Sequence, residues 1–290
     1  MIGVFDSGSG GLTVLDALRK AFPRHDFLYL GDHARAPYGT RSTEEVHRFT
    51  REAVAFLIGR GARLILIACN TAAAVALRAL QQDWLPQHDP DVRVLGVHVP
   101  LVEHLTGQHW NSPTPSANKG AIAIFATPRT VLSNAFPTEI GLRAPELRVF
   151  QQSCPGLAEA IEAHVPDATL DELVRGHVAA LMAQKDAQTI GIAALACTHY
   201  PFAYQAFRKA LPGRIAIATQ PDLVVSAFGS YLARHPEMDQ QGSGHIELLT
   251  TGDPARLSGL QSRLPETLQN FTGMESLGGV GLPRTALERM

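Results

Sequence analysis

Two segments decide the fold: Leu64-Ile65-Leu66-Ile67-Ala68-Cys69-Asn70-Thr71-Ala72 and Ile192-Ala193-Ala194-Leu195-Ala196-Cys197-Thr198-His199-Tyr200-Pro201. In each, a continuous apolar run reads as a strand buried on both faces, which is the pattern of a parallel sheet. The residues after each cysteine read as the start of a helical segment. Both thiols are therefore expected where a strand's carboxyl end meets a helix's amino end. Unpaired backbone N–H groups and the positive end of the helix dipole lower a thiol's pKa from its usual value of about 8.5. Two such thiols in matched contexts suggest one acid and one base.

The repetition extends outward from the cysteines. Ile2-Gly3-Val4-Phe5-Asp6-Ser7, followed by Leu12-Thr13-Val14-Leu15, is echoed by Ile122-Ala123-Ile124-Phe125-Ala126-Thr127, followed by Thr130-Val131-Leu132. Phe27-Leu28-Tyr29-Leu30 is echoed by Leu147-Arg148-Val149-Phe150. Each half thus reads strand, helix, strand, loop, helix, strand, cysteine, helix, the alternation of an α/β fold with helices on both sheet faces. A duplication producing two pseudo-symmetric domains, each a mostly parallel sheet flanked by helices, places a ligand site in the cleft between them.

Strands are expected at 2–5, 27–30, 64–68, 93–98, 121–125, 147–150, 191–195, 214–218 and 245–250. The clearest helical patterns cover 43–59, 71–82, 170–184, 200–210 and 222–234. A polar loop with two prolines, Gly107 to Gly120, follows the first half and marks a boundary near residue 98. The strands at 214–218 and 245–250 exceed the duplicated unit, so the chain is expected to return there to the first domain. The resulting division is 1–98 plus 212–270, then 99–211, with a loosely held tail at 271–290.

A chain of 290 residues, 45% of them hydrophobic, suffices for two cores. Its formal net charge of −2 carries no footprint for nucleic acid or an anionic membrane. No apolar stretch approaches the roughly 18 residues of a spanning helix, and the amino terminus enters the first strand without a signal-like segment. Three cysteines, none in a Cys-x-x-Cys pair, fit a reducing compartment, and the cytoplasm is the expected location.

Several chemistries drop out. Asp6-Ser7-Gly8-Ser9-Gly10-Gly11-Leu12-Thr13 lacks the third glycine of a dinucleotide loop and the lysine of a P-loop, so its glycines read as allowing close approach to a small ligand. The histidines form neither His-Glu-x-x-His nor a paired Cys/His zinc spacing, so no metal is expected. Lys20, Lys119, Lys185 and Lys209 all lie at helix ends, in loops or in turns, and none suits the Schiff base of pyridoxal phosphate.

Five segments together, Ile2 to Leu12, Gly31-Asp32-His33-Ala34-Arg35-Ala36-Pro37-Tyr38-Gly39, Ala68-Cys69-Asn70-Thr71-Ala72, Cys197-Thr198-His199-Tyr200-Pro201 and Thr250-Thr251-Gly252-Asp253, resemble the glutamate racemases of the cofactor-independent aspartate/glutamate racemase superfamily. The resemblance runs in order from residue 2 to about 265. Aspartate racemases typically carry Cys-Thr-Glu at the second cysteine, where this chain has His199. The resemblance implies interconversion of L- and D-glutamate for peptidoglycan, without a cofactor, by a protein that is often a homodimer. It further implies catalytic roles for Cys69, Cys197, Asp6 and His199, and substrate contacts from Asp6, Ser7, Tyr38, Gly39, Asn70, Thr71, Thr198 and His199. Thr127 and Thr130 match a Thr-x-x-Thr element that contributes hydroxyl donors, and Glu162 matches an acidic residue near the second cysteine. Some members bind a peptidoglycan-precursor activator through an amino-terminal extension; with a strand starting at residue 2, that regulation is not expected here.

Each residue also has a plainer reading. A cysteine after an apolar run is commonly a small buried hydrophobe, the reading that Cys154 receives because it lacks the matched context. Asp6 suits a turn at a strand end, Pro37-Tyr38-Gly39 suits an ordinary turn, His199 a satisfied histidine, and Asn70 and Thr71 suit helix capping. Two other function classes share these residues: a cysteine hydrolase using Cys197 with His199, which leaves Cys69 without a task, and an amino-acid-binding protein, which needs no thiols. Val99-Pro100-Leu101 and Gln220-Pro221-Asp222 depart from the common family pattern, and both are expected to bear on domain coupling and dimer contacts rather than on chemistry.

Overall fold

A computed structural model describes residues 1–109, 111–112, 114–257, 260, 263–274 and 277. The ten strands are β1 (Ile2–Asp6), β2 (Phe27–Gly31), β3 (Leu64–Ile67), β4 (Arg93–Gly96), β5 (Gly120–Ala126), β6 (Leu147–Ser153), β7 (Ile190–Ala196), β8 (Ala216–Ala218), β9 (Ile246–Thr250) and β10 (Thr272–Gly273). They form two sheets, ordered β10-β9-β2-β1-β3-β4 and β6-β5-β7-β8. Every pairing is parallel. The order β2-β1-β3-β4 matches β6-β5-β7-β8 strand for strand, so the sequence echo is also a topological one.

Burial on both faces explains the unbroken apolar runs. In the first sheet, Phe5, Leu30, Ile65 and Ile67 pack with the helices Thr43–Gly59 and Asn70–Ala79. The alternate positions Ile2, Val4 and Leu66 pack with Leu12–Ala21 and Pro221–Arg234. The second sheet repeats this: Ala123 and Phe125 meet Asp167–Met182 and Tyr204–Ala210, while Ile122 and Ile124 meet His98–Thr106 and Ala135–Arg143. The helix Thr43–Gly59 begins where the sequence places it because Ser42 and Glu45 close a reciprocal capping box.

The chain crosses between sheets twice. After β4 it enters His98–Thr106, whose Leu101, Val102 and Leu105 join the second core. After β8 it enters Pro221–Arg234, whose Val224, Phe228 and Leu232 join the first core. The expected strand at 214–218 therefore pairs with β7 in the second sheet rather than with the first, and the return falls at about residue 220. The strand beside β7 completes the four-strand repeat, so it belongs to the duplicated unit rather than exceeding it. The expected helix at 71–82 is an α-helix only to Ala79, then widens into a π-turn over Leu80–Trp84. The described residues of the 107–120 loop are mostly exposed, with Gly107 ending the preceding helix in the left-handed region at φ 66°. Most of the expected tail lies outside the described residues.

Candidate active site

In a doubly wound sheet the crevice opens at the carboxyl ends of the strands where the winding direction reverses. Here that reversal falls between β1 and β3 in one sheet and between β5 and β7 in the other. Ser7, Thr127 and Cys197 directly follow β1, β5 and β7, Cys69 stands two residues past β3, and all four line one cavity of about 440 Å³. One thiol comes from each sheet. The same cavity is lined by Tyr38, Gly39, Asn70, Thr71, Thr198, His199 and Glu162.

Cys69 caps the helix Asn70–Ala79. Its Sγ accepts from the backbone N–H of Ala72 at 3.4 Å and lies 3.4 Å from Oγ of Ser7. The helix end alone would favour the thiolate, yet burial outweighs it: burial, with the charge of Asp6 added, pushes the Cys69 thiol up to about 12. Cys69 is therefore held as a thiol at neutral pH. Cys197 has a different setting. The turn Thr198-His199 and a 3₁₀ segment, Tyr200–Ala203, separate it from the helix Tyr204–Ala210, so it does not cap an α-helix as expected. Its neighbour is His199, with Nδ1 3.9 Å from Sγ.

His199 is buried and its Nε2 meets Oε2 of Glu162 at 2.5 Å. Burial opposes a charged imidazole, but Cys197 and Glu162 together outweigh it and hold His199 well above its ordinary value. Glu162 is lowered: partial burial raises it, and the bond to His199 more than offsets that. Sequence resemblance put Glu162 near the second cysteine, and it stands one residue behind the thiol, touching it through the imidazole.

Asp6 and Thr130 do not line the cavity. Asp6 is fully buried, accepting from the Gly8 N–H at 2.8 Å and from the Thr198 hydroxyl at 3.1 Å across the two domains. Burial raises its carboxyl to about 6, against the lowering charge of His199. Thr130, also fully buried, closes a triangle of hydroxyls with Thr127 at 3.0 Å and Thr71 at 3.2 Å, and Thr71 meets Thr127 at 2.9 Å. The ring Thr71–Thr127–Thr130 joins the halves through hydroxyls that can each donate in either direction. Tyr38 turns its hydroxyl away from the cavity to donate to Asp32, which also accepts from Arg35 at 2.7 Å and Thr251 at 2.7 Å. Tyr38 therefore presents its ring and backbone to the site.

The glycine loop serves a purpose the sequence did not disclose. A Cβ on Gly10 would come within 2.6 Å of Thr198 Oγ1, and one on Gly11 within 2.6 Å of Asp6 Cβ. These glycines admit protein rather than ligand: Gly10 lets the second domain's turn sit against the first strand's end, and Gly11 lets the loop close on Asp6 and Tyr29. Of the loop's three glycines only Gly8 lines the cavity. Cys154 directly follows β6 but is absent from the cavity lining and packs in the second core. Arg256 and Gln220 were not anticipated. Arg256, in the 3₁₀ turn Pro254–Arg256, is the one lysine or arginine lining the cavity among the described residues. Gln220 was visible only as a departure from a pattern, and it bonds Asn70 with both ends of its amide, at 2.6 and 2.9 Å.

Among the described residues no group of three or more His, Cys, Asp or Glu is placed to hold a metal, and no helix is long and apolar enough to cross a membrane. All four lysines are exposed.

Two matched α/β domains that each deliver a cysteine to one shared cleft define a two-domain protein of the amino-acid racemase class. No protein-family model matches the chain. Curated relatives do: the chain is 46% identical to the glutamate racemase of Roseobacter denitrificans over 260 residues, 89% of this chain and 93% of that one. It is 45% identical to the glutamate racemase of Paracoccus denitrificans, over 89% of this chain and 94% of that one. Among solved structures, glutamate racemase of Thermus thermophilus in complex with β-chloro-D-alanine superposes with a TM-score of 0.78 at 33% identity, covering 96% of this chain and 97% of that one. The chain belongs to the glutamate racemase family, whose members are amino-acid isomerases.

Proposed function

We propose that this protein interconverts L- and D-glutamate by two-base proton transfer at Cα, with Cys69 on one face of the substrate and Cys197 on the other. The observation that carries the reading is the pair of thiols at equivalent strand ends of two sheets, lining one cavity. Inverting a stereocentre requires removal of a proton from one face and delivery to the opposite face, which a single base cannot do in place. With L-glutamate, Cys197 as thiolate beside the His199 imidazolium takes the Cα proton, and the Cys69 thiol gives its proton to the opposite face. The product is D-glutamate with the two sulfurs' protonation states exchanged. The reverse reaction starts from that exchanged state.

Charge developing on the α-carboxylate during proton loss falls to hydrogen-bond donors already in place, among them backbone N–H groups at the start of Asn70–Ala79 and the hydroxyls of Ser7, Thr71 and Thr198. Asp6, bonded to Thr198 and lying close enough to Cys69 to shift it, acts as a charge behind the thiol that sets when Cys69 can hold a proton. Thr127 and Thr130 hold Thr71 in orientation. The reading needs no cofactor: the exposed lysines supply no Schiff base, and thiol chemistry alone balances the protons. The homologous glutamate racemases make D-glutamate formation for peptidoglycan the proposed role in the cell, with the cytoplasm as its location.

The test is solvent isotope uptake. Purified protein incubated with L-glutamate in D₂O, after EDTA treatment and borohydride reduction, is expected to lose optical rotation while incorporating deuterium at Cα. Retained rotation and unexchanged Cα–H would leave a binding protein or a hydrolase. Activity lost on chelation or reduction would reject the cofactor-free mechanism.

A further inference from the structure

The two places where the chain crosses between domains are bolted together by one side chain. Gln220 sits at the return crossing and is buried; its Nε2 donates to the carbonyl of Val97, at the outward crossing, at 3.0 Å. The same Nε2 donates to Oδ1 of Asn70 at 2.9 Å, and Oε1 of Gln220 accepts from Nδ2 of Asn70 at 2.6 Å. Asn70 is the residue after Cys69 and lines the cavity.

Two facing amides have two arrangements, related by turning both end for end, and alone they would be equivalent. Val97 removes that freedom. A backbone carbonyl only accepts, so the NH₂ of Gln220 must face it. The oxygen of Gln220 then faces Nδ2 of Asn70, and the orientation of Asn70 is fixed in turn. An amide nitrogen carries two hydrogens and an amide oxygen two lone pairs. After Gln220 has taken one of each, Asn70 keeps one N–H and one lone pair for the site, in positions it cannot exchange.

We propose that Gln220 is a positioning residue: through Val97 it sets the polarity of the Asn70 amide, so that Asn70 offers the cavity an N–H donor where a substrate carboxylate sits. The inference rests on the glutamate racemase reading above. It gives the residue that departs from the common pattern at 220 a place in substrate recognition, where the sequence suggested domain coupling and dimer contacts. Without Gln220, Asn70 is free to turn its carbonyl oxygen toward the carboxylate, which repels it. Binding of ground state and transition state suffer alike, so the loss appears in KM rather than kcat.

The test compares Gln220→Leu and the near-isosteric Gln220→Glu with the wild type, each also in an Asn70→Ala background. Both single variants are expected to raise KM for glutamate about tenfold to a hundredfold, the loss of one hydrogen bond to a charged group, with kcat within about threefold. In the Asn70→Ala background neither change should raise KM further, because there is no amide left to orient. Effects that add to Asn70→Ala, or that fall on kcat with KM unchanged, would make Gln220 a structural bolt only and overturn the proposal. If Gln220→Leu does not fold, Gln220→Glu decides, since it preserves shape and the acceptor while removing the donor. Failure of the wild type to racemise glutamate would overturn the parent reading instead, and is read from the control reaction alone.

Discussion

Nε2 of His199 lies 2.5 Å from Oε2 of Glu162 while its Nδ1 lies 3.9 Å from Sγ of Cys197, so one buried imidazole bridges a carboxylate and a thiol. The carboxylate helps keep the imidazole charged beside the sulfur, and each partner's shift depends on the other. Glu162→Gln should therefore lower the pKa of His199 and move the alkaline limb of the kcat/KM profile toward lower pH. A superimposable profile would reject the coupling. The stability signs follow from the same shifts. Raised His199 contributes stability that is complete below its unfolded value near 6.5 and fades as pH rises through its higher folded value. Lowered Glu162 contributes above its unfolded value near 4.5 and fades as pH falls below that. The Tm deficit of Glu162→Gln should be largest between these two pH values and shrink on either side.

Asp6 has the opposite sign. Burial raises its carboxyl to about 6, from an ordinary 3.8, so its ionisation costs stability. That cost is absent below pH 3.8, grows as pH rises, and is complete above about 6. Asp6→Asn keeps the size and the acceptor for the Gly8 N–H, and is expected to raise Tm above pH 6 relative to the wild type with little change at pH 4. Activity should fall by about a hundredfold or more, within the range for a group that assists proton transfer, and the acid limb near pH 6 should vanish. A variant that keeps that limb would assign it to another group.

Much of this site is legible in the strands and little of it in the loops. Cys69 and Cys197 are visible because buried parallel strands write continuous apolar runs, and a polar residue after such a run can only mark the sheet's carboxyl edge. The duplication is legible for the same reason, as strand-for-strand order confirms. The strand at 216–218 joins β7 rather than the first sheet, and so short a strand has no periodicity to say which sheet it joins. Gly10 and Gly11 read as ligand-facing because sequence shows that a Cβ is missing but not what fills the space. Gln220 and Val97 meet across 123 positions of chain, and Arg256 comes to the cavity from a 3₁₀ turn; neither contact leaves a local pattern.

Arg256 pairs with Asp253 at 3.4 Å and keeps an exposed guanidinium at the cavity. Glutamate carries a net charge of −1 at neutral pH, and Glu159 and Glu162 also line the site, so an approaching dicarboxylate meets two acidic side chains against the exposed Arg256 guanidinium and the buried His199 imidazolium. Arg256→Gln is expected to lower kcat/KM about threefold to tenfold at low ionic strength, with the gap closing as salt screens the charge over roughly 8 Å at physiological strength. Stopped-assay kinetics from 10 mM to 500 mM salt decide it, these concentrations spanning screening lengths of about 30 Å to a few ångströms. A deficit that ignores salt would mean that Arg256 contacts bound substrate instead of steering it.

Selectivity follows from donors fixed on both domains. Ser7, Thr71 and Thr198 line the cavity from opposite sides, and the Thr71–Thr127–Thr130 ring and the Thr198–Asp6 bond hold two of them in place. A site that hydrogen-bonds both carboxylates rejects a ligand that misplaces one by a methylene. Glutamate is expected to exceed aspartate by at least about a hundredfold in kcat/KM. Equal turnover would place the chain in a broad-specificity branch.

The division of labour between the thiols is open to direct test. Burial pushes the Cys69 thiol up to about 12, and Cys197 adjoins an imidazole that is held charged. In the proposed direction from L-glutamate, Cys197 is the base and Cys69 the acid. Cys69→Ala and Cys197→Ala are each expected to abolish racemisation, since either breaks the relay, whereas Cys154→Ala, remote from the cavity in the second core, should leave it largely intact. A glutamate analogue with a leaving group at Cβ separates the two roles, because elimination needs proton removal from one face and no return to the other. Cys197→Ser should retain elimination from the D form, where Cys69 is the base, and lose it from the L form; Cys69→Ser should show the reverse. Equal loss from both enantiomers in both variants would mean that the sulfurs act only as a coupled unit, and full racemisation by either alanine variant would rule out the two-base mechanism.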